Sequence, residues 1–215
     1  MKQAVIFDLD GTLADTLSSI AFFANRALTQ CGYQQIPLEE YRYLVGNGAK
    51  RLVHGMLARV GDDTPEAFDK VSPLYNDGYD ADSLYLTKPY DGILPLLHIL
   101  KQRGVKIGVL SNKPDRTTQK IVKALFGDFV DACRGQQDGT PRKPDPAGVF
   151  LLLHELSVSP DECLYVGDTK TDMQTGKAAG IFTVGVTWGF RDREELEEHH
   201  ADAIISSPEE LIAYL

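Results

Sequence analysis

Ala4-Val5-Ile6-Phe7-Asp8-Leu9-Asp10-Gly11-Thr12-Leu13 is a short apolar run that ends in two spaced aspartates and a glycine. An unbroken apolar run of this length predicts a strand buried on both faces, as in a parallel sheet flanked by helices. Open α/β sheets hold their ligands at the carboxyl ends of the strands, so Asp8 and Asp10 stand where chemistry is expected. Side chains at i and i+2 of a strand share a face, while Gly11 marks the point where the backbone turns. Asp8 and Asp10 are therefore expected to converge on one reacting group. Aspartate also serves as an ordinary turn former, a role that explains a spaced pair followed by Gly-Thr poorly.

Similar runs recur at 106–110, 163–166, 183–186 and 203–205, separated by helical patterns at 93–103, 116–126, 147–156, 172–179 and 208–215. Alternation of strand and helix predicts an α/β fold with a doubly wound, Rossmann-like parallel-sheet core. Asp145-Pro146 and Gly180 mark a helix start and a helix stop, and Asp115 is placed to cap its own helix. The stretch 15–86 breaks the alternation. It reads as helices at 18–30, 38–45, 49–60 and 65–79 divided by Gly32, Gly46-Asn47-Gly48 and Gly61-Asp62-Asp63. The expected organisation is a catalytic core of residues 1–14 and 87–215 with a helical cap domain, 15–86, inserted into it.

The 215 residues, 43% of them hydrophobic, are enough for a sizeable core. With 22 basic and 31 acidic side chains the net charge is -9, which repels nucleic acid and anionic membranes. An anionic substrate must then meet a local positive site. The N-terminal residues lack the layout of a signal peptide, no apolar run reaches the length of a membrane span, and Cys31, Cys133 and Cys163 are too few and too scattered for a disulfide frame. These features predict a cytoplasmic protein with reduced thiols. They carry no reading of its oligomeric state.

Three further strand ends carry polar groups. Val109-Leu110-Ser111-Asn112-Lys113 ends a buried run in a hydroxyl and an amide, which can receive phosphate oxygens. Pro141-Arg142-Lys143-Pro144-Asp145-Pro146 fixes one lysine on a stiff loop, where its ammonium can neutralise phosphate and nearby carboxylates. Leu164-Tyr165-Val166-Gly167-Asp168 ends in an acid, and Asp172 follows within the next turn. Together with Asp8, these two supply the hard oxygen ligands that Mg²⁺ prefers.

Asp8-Leu9-Asp10-Gly11-Thr12, Ser111, Lys143 and Gly167-Asp168 with Asp172, in that order, resemble the signatures of the haloacid dehalogenase superfamily. The phosphoglycolate phosphatase branch is the most similar, through the helical insertion after the first strand, Asn47-Gly48-Ala49-Lys50-Arg51 and Thr187-Trp188-Gly189-Phe190. The resemblance implies a Mg²⁺-dependent phosphatase of a small phosphorylated metabolite, acting through an aspartyl phosphate. It implies Asp8 as nucleophile, Asp10 as general acid and base, and Ser111 and Lys143 as catalytic phosphate binders, aided by Gly11, Thr12 and Asn112. The metal falls to the Asp8 carboxylate, the Asp10 main-chain carbonyl and Asp168, with Asp172 orienting its shell. Arg51, with Lys50, is placed to receive a substrate carboxylate, although both also read as exposed cations near a helix start. A sugar phosphomutase with the same aspartates, a dehalogenase and a catalytically silent binding relative are the competing readings. His54, His199-His200 on a solvated helix, and Trp188 read as structural.

Overall fold

The computed structural model describes residues 2–215. Strand β1 (Ala4–Phe7) is buried throughout, and its two-residue period sends Val5 and Phe7 into one apolar layer and Ala4 and Ile6 into the other. The chain leaves through β2 (Ala14–Asp15) and forms α1 (Leu17–Gln30), α2 (Leu38–Leu44), α3 (Ala49–Arg59) and α4 (Pro65–Ala81). It returns by β3 (Lys88–Pro89), which pairs antiparallel with β2. Then α5 (Ile93–Gln102), β4 (Lys106–Pro114), α6 (Asp115–Phe126), β5 (Ala132–Gln136), α7 (Ala147–Leu156) and β6 (Cys163–Gly167) follow. Next come α8 (Lys170–Ala178), β7 (Phe182–Val186), α9 (Arg193–Glu198) and β8 (Ala203–Ile205), before a 3₁₀ segment, Pro208–Tyr214.

The main sheet runs β5-β4-β1-β6-β7-β8, every pair parallel. After β1 the chain builds outward through β4 and β5, then crosses to the other side of β1 for β6, β7 and β8. The order therefore reverses beside β1, and Asp8 lies at the carboxyl end of that strand, at the switch point where such sheets open a crevice. Helices α5 and α6 cover the Val5 and Phe7 face, while α7 covers the Ala4 and Ile6 face. Each fully buried Leu, Ile or Phe in these layers contributes roughly 1.5–3 kcal/mol relative to exposure. Helices α1 to α4 bury a separate cluster that includes Phe23, Tyr41, Met56 and Val71. Among the described residues no helix is long and apolar enough to cross a membrane.

Several details differ from the sequence reading. Strand β5 was not anticipated, because it is a half-buried edge strand carrying Arg134, Gly135 and Gln136. The β2 and β3 pair is too short to leave a pattern. Asp115 does not cap its helix: Pro114 takes the cap position, and Asp115 Oδ1 accepts from the Gly135 amide at 2.8 Å, tying α6 to the edge strand. Residues 208–214 coil as 3₁₀ rather than α, and α9 ends before His199 and His200, the latter at φ 59°.

Candidate active site

Strand β1 carries Asp8 to the centre of the sheet edge, where the loop before α7 brings in Lys143. The buried Lys143 ammonium donates to Asp172 Oδ1 at 2.8 Å and to the Leu110 carbonyl at 3.1 Å, and it lies 2.8 Å from Asp8 Oδ1. Asn112 holds that loop, accepting from the Lys143 amide at 2.9 Å and donating to the Lys143 carbonyl at 3.2 Å. Burial works to lower the Lys143 ammonium, but Asp172 and Asp8 outweigh it and keep it well above an ordinary lysine. Asp172 has two duties. Its Oδ2 closes the capping box of α8 by accepting from the Thr169 amide at 3.1 Å and hydroxyl at 2.7 Å, while its Oδ1 faces Lys143.

Asp168 sits at the end of β6, fully buried, in a cradle made by two backbone segments. Its oxygens accept from the Thr12 hydroxyl at 3.1 Å and from the Phe190 amide at 2.7 Å. A Cβ on Gly11, at φ 88°, would stand 2.3 Å from Asp168 Oδ2, and one on Gly189 would stand 2.3 Å from Asp168 Cβ. Only glycine permits both approaches. Burial first, then repulsion from Asp172, pushes Asp168 up to about 7 against the pull of the Phe190 amide, Arg191 and Thr12. Asp8 is likewise pushed well above the ordinary carboxylate range, by burial and by Asp172 and Asp168, with Lys143 opposing.

One carboxylate oxygen from each of Asp8, Asp168 and Asp172 lies within 4.8 Å of the others. Lys143 pairs with Asp8 and Asp172 but does not reach Asp168, so the cluster gathers three carboxyl groups, all hard oxygen donors, at one point. That donor set fits a small divalent cation such as Mg²⁺. Asp172 Oδ1 faces Lys143 and its Oδ2 meets Thr169, the two Asp168 oxygens meet Thr12 and the Phe190 amide, and Asp8 Oδ2 accepts no hydrogen bond among the described residues.

Asp10 points the other way. Thr16 at the start of α1 gives its hydroxyl to Asp10 Oδ1 at 2.7 Å instead of capping the helix. Lys113 Nζ stands 3.0 Å from Asp10 Oδ2 and donates to the Tyr79 hydroxyl at 3.0 Å, lying 4.6 Å from the centre of that ring. Asp10, Lys113 and Tyr79 open onto a cavity of about 380 Å³ between the sheet edge and α1, α3 and α4. Asp8, Asp10, Ser111 and Asn112 line its floor. Asn112 also donates to the Gly46 carbonyl at 3.2 Å, a contact from the sheet edge to the helical layer.

The fold thus brings Asp8, Asp10, Ser111, Asn112, Lys143, Asp168 and Asp172 to one place. Gly11 and Thr12 adjoin Asp168 and do not line the cavity. Lys50 and Arg51 are exposed and do not line it either, because Ala49 and Leu52 are the residues of α3 that face inward. His54 is bound to Asp63 at 2.7 Å and stacked on Phe68. Trp188 packs on the core and donates to the Thr12 carbonyl at 3.0 Å. Lys113 and Tyr79 had no role in the sequence reading. The one signal for Lys113 was its position directly after Ser111 and Asn112.

A buried carboxylate cluster at the switch point of a parallel sheet, roofed by helices, defines a hydrolase that works through aspartate. Residues 5–186 match the haloacid dehalogenase-like hydrolases, and the chain belongs to that family. Over 209 residues it is 34% identical to the phosphoglycolate phosphatase of Pseudomonas putida, spanning 95% of this chain and 76% of that one. Over 218 residues it is 32% identical to the N-acetylmuramic acid 6-phosphate phosphatase of Pseudomonas aeruginosa, spanning 99% and 94%. A solved structure from Lactobacillus delbrueckii subsp. bulgaricus is similar with a TM-score of 0.92 at 31% identity, covering 98% of this chain and 97% of the other.

Proposed function

We propose that the chain is a Mg²⁺-dependent phosphatase that hydrolyses a small phosphate monoester by way of Asp8. The observation that carries this reading is the buried group of Asp8, Asp168 and Asp172, with Lys143 paired to Asp8 and Asp172 and Asp8 also opening onto the cavity. Asp8 and Asp168 would hold the cation, which when bound offsets the repulsion between a carboxylate and a phosphate. An Asp8 oxygen bonds to phosphorus as the ester P–O bond breaks, and Asp10 gives a proton to the departing alkoxide. Water then attacks phosphorus, Asp10 takes back a proton, and Asp8 is released with inorganic phosphate. Ser111 and Lys143 supply fixed donors to the transferring oxygens. Residues 15–86 act as a cap over 1–14 and 87–215, and an apolar cluster that is theirs except for Phe190 supports treating them as a unit. The free cysteines support a reducing, cytoplasmic setting.

Phosphoglycolate is the substrate that the branch resemblance favours. Relatives named for two different phosphate esters stand at nearly equal identity, so identity does not choose the leaving group. The function is tested with 4-nitrophenyl phosphate. Hydrolysis should require a divalent cation, stop in excess chelator and vanish in Asp8→Asn with the circular dichroism unchanged. Undiminished turnover in Asp8→Asn would remove the reading.

A further inference from the structure

The cap side of the cavity bears on the leaving group. Ile20 and Leu52 present aliphatic surface there, and Tyr75 and Tyr79 lie ring on ring along the same wall, with centres 5.7 Å apart and planes at 17°. Two carboxylates join them. Asp80 accepts from the Thr117 hydroxyl at 3.0 Å and pairs at 3.5 Å with Arg116. Asp77 is exposed and has neither ion pair nor hydrogen bond among the described residues.

Cations on the cavity wall are already matched. Lys113 is committed to Asp10 and Tyr79, and Arg116, with 88% of its side chain exposed, stays at the rim beside Asp80. A carboxylate on the substrate would leave water for a wall where, among the described residues, Asp77 is without a partner and each lysine or arginine already faces a carboxylate, a placement that costs affinity. A hydroxylated ring meets the opposite situation. Its C–H face packs on tyrosine and leucine, and its hydroxyls donate to Asp77, which as a carboxylate only accepts. The cavity, about 380 Å³, falls in the range that encloses ring-sized ligands.

We propose that this cavity takes the monophosphate of an uncharged polyhydroxylated ring, a sugar phosphate, in preference to a short acid anion such as phosphoglycolate, with Asp77 as a specificity-determining residue. The proposal rests on the phosphatase reading. Asp77 serves it twice, by accepting from a sugar hydroxyl and by repelling a carboxylate.

The test uses the full chain loaded with Mg²⁺ and compares kcat/KM for glucose 6-phosphate, ribose 5-phosphate, phosphoglycolate and 4-nitrophenyl phosphate in the native protein and in Asp77→Ala. At least one sugar phosphate should exceed phosphoglycolate about tenfold or more, a difference of about 1.4 kcal/mol. Asp77→Ala should lower kcat/KM for that sugar about tenfold, mainly through KM, and raise it for phosphoglycolate. Turnover of 4-nitrophenyl phosphate with neither sugar phosphate ahead of phosphoglycolate would overturn the substrate class and leave the phosphatase reading standing. So would an Asp77→Ala variant that weakens phosphoglycolate as much as sugar. Silence on all four esters would overturn both.

Discussion

The two oxygens of Asp10 have different keepers, a hydroxyl from Thr16 and an ammonium from Lys113, and this separates Asp10 from the Asp8 cluster only two residues away. Two separate carboxyl groups thus line the cavity, as the proposed division between nucleophile and proton carrier requires. Asp10→Asn keeps the shape and loses the proton, so rapid-quench kinetics should show both phosphorylation and dephosphorylation slowed, each by about 10²-fold or more. Unchanged rates for both steps would remove that role. Asp8 and Asp168 were legible from sequence because each directly follows an apolar strand, with Asp10 and Asp172 close behind them. Asp172, expected only as a metal-site acid, also closes the capping box of α8 and pairs with Lys143. Lys113 was illegible, since a lysine at a strand end normally reaches solvent and its burial depends on Tyr79 from α4.

At the scale of elements, strands set positions and loops set distances. Strands β1 and β6 hold Asp8 and Asp168 on neighbouring rails, and the turns at Gly11 and Gly189 close on Asp168 from two sides. Gly11→Ala would put a methyl group 2.3 Å from Asp168 Oδ2 at a φ of 88° that alanine resists. Mg²⁺ half-saturation, followed by isothermal titration and by activity, should rise about 10- to 100-fold. An unaltered Mg²⁺ affinity would mean that the cradle does not set the metal site. The buried strands were readable as continuous apolar runs, but β5 was not, because an edge strand carries one weakly apolar face. The inward face of α3 was also hidden. The pattern Ala49-Lys50-Arg51-Leu52 does not say which residues turn toward the sheet, and the fold chooses Ala49 and Leu52 over Arg51.

For the molecule as a whole, the balance of charge at the switch point links metal, pH and stability. Asp168 at about 7 and Asp8, also raised, hold protons in the metal-free fold that the unfolded chain has already released. A carboxyl whose folded value is raised stabilises the fold fully below its unfolded value and loses that contribution as pH rises through the folded one. The Tm of the metal-free protein should therefore fall between about pH 5 and about pH 8, and Mg²⁺ should raise it more at the upper end. A flat profile with equal Mg²⁺ increments would show that these carboxylates do not govern stability. The doubly wound parallel core was expected from the alternation of patterns and the helices of 15–86 from its interruption, whereas the strand order left no signal in the sequence. The shape of the cavity was not, since it arises only when α1, α3 and α4 meet the sheet edge. Phosphorylation of Asp8 during turnover is observable in enzyme that is acid-quenched while it hydrolyses a ³²P-labelled ester. The label should appear on the peptide containing Asp8 and be absent from Asp8→Asn. Label on another residue, or its absence under conditions where a phosphorylated enzyme must accumulate, would contradict the account.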